Sequence, residues 1–196
     1  HNPLHFSHLP PDHHLAPLEL PDKAESIFHI PALSGSGVAY FFAKEIYNYF
    51  LTRQSLTHNL QSLSTYFKSD YLVLAAIGTI ADLVPLTGPS RSMVYHGLAA
   101  FKTTKRHGIK HIIKEAGITN KEITPYEVGF IIAPRINAVG RLEHAINALR
   151  LLCTHDDKKA QEIASQIGGT NKERQELVII AVKEAKEMVE KLLKKE

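Results

Sequence analysis

The chain has 196 residues, of which 44% are hydrophobic and 22% charged, and its formal net charge is +3. That size suits one ordinary domain, or a domain with an appended element, and the composition excludes wholesale disorder. The only cysteine, Cys153, excludes a disulfide framework and any multi-cysteine zinc site. The longest apolar stretch, near Tyr71 to Ile80, is too short and too punctuated to span a bilayer. No basic start leads into an apolar run, so a secretory signal is not expected and a reducing cytoplasm is the expected compartment. The charge is unevenly placed. Residues 1–50 hold Lys23 and Lys44 against five acidic residues, whereas residues 101–121 hold Lys102, Lys105, Arg106, Lys110, Lys114 and Lys121 against Glu115 alone. This polarity suits a metal-attracting pole and a phosphate-attracting face.

In chain order, Pro3, Pro10, Pro11, Pro17 and Pro21 disfavour regular structure over residues 1–26, and a short strand is expected at Ser26 to Ile30. Val38 to Leu51 reads as a helix with a Ser-Gly N-terminus, apolar nearly all round and therefore buried. Residues 70–81 read as a second buried helix, with a strand over Tyr71 to Ile77 as the alternative. Short helices are expected at 90–101 and 107–116. Thr124-Pro125 resembles an N-cap followed by proline at the first helical position, so another helix starts at Tyr126 and Pro134 stops it. Pro134 to Arg141 is then a loop, and Arg141 to Leu152 a helix. Asp156 to Ile167 forms a helix that Gly168-Gly169 breaks, and Thr170-Asn171-Lys172-Glu173 has the spacing to cap a last helix. Its apolar seam is Val178, Ala181, Ala185, Met188 and Leu192.

Four segments carry candidate chemistry. Asp12-His13-His14 puts a carboxylate and two imidazoles side by side, a donor mixture that Mn²⁺ and similar ions accept. In an extended segment adjacent residues point to opposite sides, so one imidazole can ligate while the other faces substrate. The alternative is a solvated His-rich end, because His1, His5 and His8 are close by. Asp82 ends the almost wholly apolar run Gly78-Thr79-Ile80-Ala81, and a carboxylate there needs a cap, an arginine or a metal. Arg135, Asn137 and Arg141 lie in Pro134-Arg135-Ile136-Asn137-Ala138-Val139-Gly140-Arg141, where guanidiniums can grip phosphate bidentately, or else tie the loop to carboxylates. Ser34-Gly35-Ser36-Gly37 can receive an anion at a helix N-terminus, although close backbone packing explains the glycines more simply. The basic stretch Lys102 to Lys114 can track a nucleic-acid backbone or be a solvated face. Cys153 is expected to be a buried structural residue, and His96, His107, His111 and His144 show no ligand-like spacing.

Asp12-His13-His14, Leu33 to Ala39, Gly78 to Leu86, Pro134 to Arg141 and Asn171 to Glu176 together, in this order and spacing, resemble the RecJ-like exonuclease branch of the DHH phosphoesterase family. The resemblance runs from about Asp12 to near Gln175. It implies a helix-rich α/β fold: residues 1–155 as the C-terminal part of a DHH catalytic domain, and residues 156–196 as a helical connector towards a second domain. It implies Mn²⁺ or Mg²⁺, with His13 and Asp82 as metal ligands and Asp12 and His14 as catalytic residues beside them. Arg135, Asn137 and Arg141 become nucleic-acid contacts. The implied activity is 5′ to 3′ hydrolysis of single-stranded DNA in repair and recombination, with replication or repair proteins as partners and no membrane. Hydrolysis of short oligonucleotides or cyclic dinucleotides, or a non-catalytic nucleic-acid-binding scaffold, are the alternatives. The family's early Asp-x-Asp motif precedes its Asp-His-His, and a Gly-Gly-His motif follows its connector. The eleven residues before Asp12 contain no acidic side chain, so half a metal shell is expected in this chain.

Overall fold

The structure, a computed structural model, describes residues 30–52, 59–142 and 145–193; at 59–62 and 139–142 it describes the backbone. Among the described residues there are eight α-helices and no strand: α1 (Gly35–Thr52), α2 (Asn59–Lys68), α3 (Asp70–Ala81), α4 (Gly88–Ala100), α5 (His107–Glu115), α6 (Ala133–Leu142), α7 (Ile146–Cys153) and α8 (Asp157–Leu193). A π-helical segment, Glu127–Ile132, leads directly into α6. The expected strand at Ser26 to Ile30 falls almost wholly outside the described residues. Two compact units result. Of the described residues, the first comprises those up to Lys105 with Ile123–Gly129, the second Arg106–Glu122 with those from Phe130 onward.

In the first unit the 70–81 helix forms as expected, and the strand alternative for Tyr71 to Ile77 is excluded. Val73, Ala75, Ala76, Ile77, Thr79 and Ile80 are all buried, which requires cover on more than one face. Each large aliphatic among them contributes about 1.5–3 kcal/mol. Leu33, Val38, Ala75 and Met93 form a core shared with α1 and α4. A polar network sits inside it. Thr79 Oγ1 donates to Ala75 O at 2.7 Å, which leaves it to accept from Ser34 Oγ at 2.8 Å. Ser34 Oγ also lies 2.9 Å from Ser36 Oγ and accepts the Gly37 amide at 3.1 Å, so Ser34 is the N-cap of α1. The Ser-Gly-Ser-Gly motif is therefore spent on packing, the simpler of its two readings. Gly78 is part of the same join: a Cβ there would overlap the Ser36 hydroxyl. Buried Asp70, in the first turn of α3, accepts from Thr104 Oγ1 at 2.5 Å and the Lys105 amide at 2.9 Å, tying down the chain after α4. The uniform burial expected of α1 does not occur. Only Gly37 and Val38 are buried, while Tyr49, Phe50 and Leu51 are exposed.

In the second unit α5 buries Ile109 and Ile112, α7 buries Ala148 and Leu151, and α8 buries Ala160, Ile163, Ala164 and Ile167 at helical spacing. Arg106 Nη1 donates to Leu152 O at 2.5 Å, a cation on carbonyls at the C-terminal end of α7. Asp156 caps α8 by accepting the Lys159 amide at 3.1 Å.

Three boundaries differ from expectation, each for a local reason. Pro134 does not stop its helix. The preceding π-turns widen the helix where the proline ring and its missing N–H would clash with an α-helical ladder, and the chain continues into α6. Thus 134–141 is helical rather than a loop, and Arg141 lies near the end of α6 instead of starting the next helix, which begins at Ile146. Gly168-Gly169 does not break α8, and Thr170, in mid-helix, turns its hydroxyl back to Gln166 O at 3.2 Å instead of capping a new helix. The cap signal at Thr124 does hold, with more to it than proline. Thr124 and Glu127 form a capping box in which Glu127 Oε2 accepts both the amide (3.1 Å) and the hydroxyl of Thr124.

The Gly78 contact makes a test. Gly78→Ala should destabilise the fold by about 1–3 kcal/mol despite the better helix propensity of alanine, because overlap in a packed join outweighs it. Adding Ser36→Gly should recover part of the loss. Urea midpoints for the two single variants and the double measure this, and an additive double variant would refute the contact as the cause.

Candidate functional site

Asp12, His13 and His14 lie outside the described residues, so their arrangement is not part of the geometry. Asp82 is the C-cap residue of α3, and its amide donates to Gly78 O at 3.0 Å. The next residue, Leu83, has φ of 54°, the left-handed conformation that ends many helices, and its amide donates to Ile80 O at 3.1 Å. The turn therefore ends the buried helix and delivers the Asp82 carboxylate to the surface, where it is exposed. Among the described residues no three His, Cys, Asp or Glu side chains are grouped to hold a metal ion. The donor chemistry still suits a hard divalent cation: Asp82 is a solvent-facing carboxylate, and Asp12 and His13 would add a carboxylate and an imidazole.

The arginine segment is a helix, which changes what it can do. Asn137 and Arg141 are four residues apart and share a face of α6, whereas Arg135 is about 160° away from Asn137. Arg135 Nε donates to Glu115 Oε2 at 2.6 Å, and its Nη1 reaches back one turn to Ile131 O at 2.9 Å. Its side chain is only 18% exposed. Asn137 is exposed. The three residues are thus not one cluster: the helix gives one face to Asn137 and Arg141 and another to Arg135.

One pairing had no counterpart in the sequence reading. Asp157 Oδ1 accepts from His107 Nδ1 and from His111 Nε2, each at 2.8 Å. The carboxylate only accepts, so these two ring nitrogens carry protons. The signal was present in the sequence as an i, i+4 histidine pair, although its carboxylate partner is 46 residues away. The lysines of the basic stretch, Lys102, Lys105, Lys110 and Lys114, are exposed, as is Lys121. Cys153 is an exposed free thiol, not the buried residue expected, because the buried side of α7 is Ala148 and Leu151. An open groove of the first unit, about 600 Å³, is lined by Tyr40, Phe41, Phe67, Lys68 and His96 among others and contains no residue selected from sequence.

No family model matches the chain. It is 40% identical over 188 residues to the single-stranded-DNA-specific exonuclease RecJ of Bacillus subtilis (strain 168), an alignment covering 91% of this chain and 22% of that protein. The chain is similar to RecJ over most of its length. The crystal structure of exonuclease RecJ bound to manganese superimposes with a TM-score of 0.63 at 35% identity, over 78% of this chain and 35% of that one. RecJ from Thermus thermophilus in complex with Mg²⁺ gives a TM-score of 0.62 at 33% identity, over 83% and 23%. The chain therefore spans about a sixth to a third of the length of the RecJ proteins it matches, and the likeness supports the helix-rich RecJ-like fold.

The two histidine bonds hold the Asp157 carboxyl below its ordinary value, His111 most and His107 next. A carboxylate lowered in the folded state stabilises the fold above its unfolded value, near 4, and that contribution is lost as pH falls through the lower folded value. Asp157 is 63% exposed, so solvent and salt screen the effect. Asp157→Asn should therefore flatten the fall in urea midpoint below about pH 4. An unchanged acid limb would show that the pair does not couple to folding.

Proposed function

We propose that this sequence is part of a metal-dependent phosphodiesterase that removes nucleotides from single-stranded DNA, 5′ to 3′. The observation that carries the reading is 40% identity to a single-stranded-DNA-specific exonuclease over 91% of a chain that contains Asp12-His13-His14 and Asp82. Its expected setting is cytoplasmic DNA repair and recombination, with replication or repair proteins as partners. The helix-rich described part would belong to a larger α/β DHH domain through residue 155. From residue 156 the chain would serve as a connector towards a second domain. The uncovered apolar residues of α8, such as Val178, Met188 and Leu192, support a helix that packs on further protein.

In this reading His13 and Asp82 hold Mn²⁺ or Mg²⁺, with Asp12 alongside. A divalent ion at such a site supplies charge neutralisation at the scissile phosphate and a more acidic bound water. The chain's own residues do the rest. His14 holds a proton for the leaving oxygen. Arg135 directs guanidinium N–H groups to phosphate oxygens. Asn137 and Arg141, on another face of α6, contact the strand separately.

Digestion of a 5′-phosphorylated single-stranded oligonucleotide with Mn²⁺ tests this. Cleavage is expected from the complete protein of which this chain is part, where Asp82→Ala should lower it at least a hundredfold, the scale of removing a group that stabilises transition-state charge. The chain alone, with half the metal shell, should cleave far less. Equal cleavage by Asp82→Ala would remove Asp82 from the site. Salt-sensitive binding of single strands with no cleavage in any divalent ion would favour the scaffold reading instead.

A further inference from the structure

We infer that Glu115 and Gly168 act as a latch that sets the direction of the Arg135 guanidinium, an inference that rests on the reading of Arg135 as a phosphate contact. Arg135 is held at two points by two different elements: its Nε by the Glu115 carboxylate at the end of α5, and its Nη1 by its own helical turn at Ile131 O. Two of five N–H donors are thereby used, and the remaining three are fixed in the plane of a rigid fork. A guanidinium pinned in this way has less rotamer freedom to lose when it meets a phosphate.

Glu115 is in an unusual place for this task. It lies in the last turn of α5, the negative end of the helix dipole, where a carboxylate is disfavoured. Its carboxyl group occupies a slot in α8 that exists only because residue 168 has no side chain: a Cβ on Gly168 would overlap Oε1 and Cδ of Glu115. The neighbouring Gly169 has nothing within 4 Å of its Cβ position, so only one of the two glycines makes room. A glycine inside a continuous helix weakens it by about 1 kcal/mol relative to alanine. At Gly168 that cost goes with a specific occupant, the carboxylate that bonds Arg135. All three residues belong to the second unit.

The alternative is that Glu115 merely neutralises Arg135 and competes with phosphate for it. Binding of a single-stranded oligonucleotide, followed by fluorescence anisotropy across a salt series without divalent ions, separates the two. Arg135→Ala should weaken binding about tenfold and lower the log–log salt slope by about 0.7, one phosphate contact on a single strand. Glu115→Ala and Gly168→Ala should each weaken binding about three- to tenfold with the same loss of slope. Neither should weaken it further in an Arg135→Ala background. Glu115→Gln, whose amide oxygen still accepts from Nε, should stay within about threefold of the parent. Gly169→Ala should bind as the parent does. Thermal melts identify any variant that fails to fold, and Glu115→Gln against Glu115→Ala then carries the comparison. Tighter binding by Glu115→Ala, or losses that add to that of Arg135→Ala, would overturn the latch. Unchanged binding by Arg135→Ala would overturn the phosphate reading beneath it, and the latch with it.

Discussion

Helices in both units come together where a glycine removes the side chain that would hold them apart. In the first unit, Gly78 on α3 admits Ser36 of α1, and Gly97 on α4 lies so close to α3 that a Cβ would overlap that of Ala76 and press on Leu72 O at 2.9 Å. In the second, Gly108 on α5 lies against the Leu151 backbone of α7, and Gly168 on α8 against Glu115. At such range, polar groups of adjacent helices meet directly. That is why Ser34, Ser36 and Thr79 must satisfy one another, and why Glu115 can reach Arg135 while packed on another helix. The spacing set by Gly78 and Gly168 therefore underlies these two sets of polar contacts.

Much of the fold was legible because its signals are local. The apolar run of α3, the Thr124-Pro125 start and the acidic beginning of α8 need only their own residues to act, and the structure keeps them. The failures involve distant partners. Gly168-Gly169 reads as a break because glycine is a weak helix former, but α8 is packed from Ala160 to Asn171 and tertiary burial overrides propensity. Pro134 reads as a stop because an α-helix cannot pass it without strain, and a π-turn is not visible in a pattern of period 3.6. Cys153 reads as buried because it adjoins apolar neighbours, yet α7 is one helix with one covered side, and the cysteine is on the other.

The candidate site was legible as composition and not as arrangement. Asp82 is where its sequence suggests, at the end of a buried helix, and the left-handed Leu83 shows how the chain turns there. Arg135, Asn137 and Arg141 are close in sequence, but on a helix proximity is set by angle: a loop would let all three converge, and α6 separates them. The ion pair that occupies Arg135 spans 20 residues and depends on a glycine 53 residues beyond Glu115, a relation no local pattern carries.

The same geometry divides the positive charges by kind. Lys110 and Lys114, four apart on α5 and exposed, are flexible point charges whose effect on a polyanion is a field screened by salt. Such charges raise the encounter rate and nonspecific affinity, and they impose little direction. Arg135, 18% exposed and bonded at two nitrogens, is the opposite: it contributes little field at a distance and a fixed set of donors at contact. A single strand has no regular groove to set its register, so orientation must come from donors that are already fixed. If the chain binds a single strand as proposed, the lysines would account for attraction and the latched arginine for alignment. It follows that adding lysines to the surface would tighten binding without restoring what a loosened Arg135 loses.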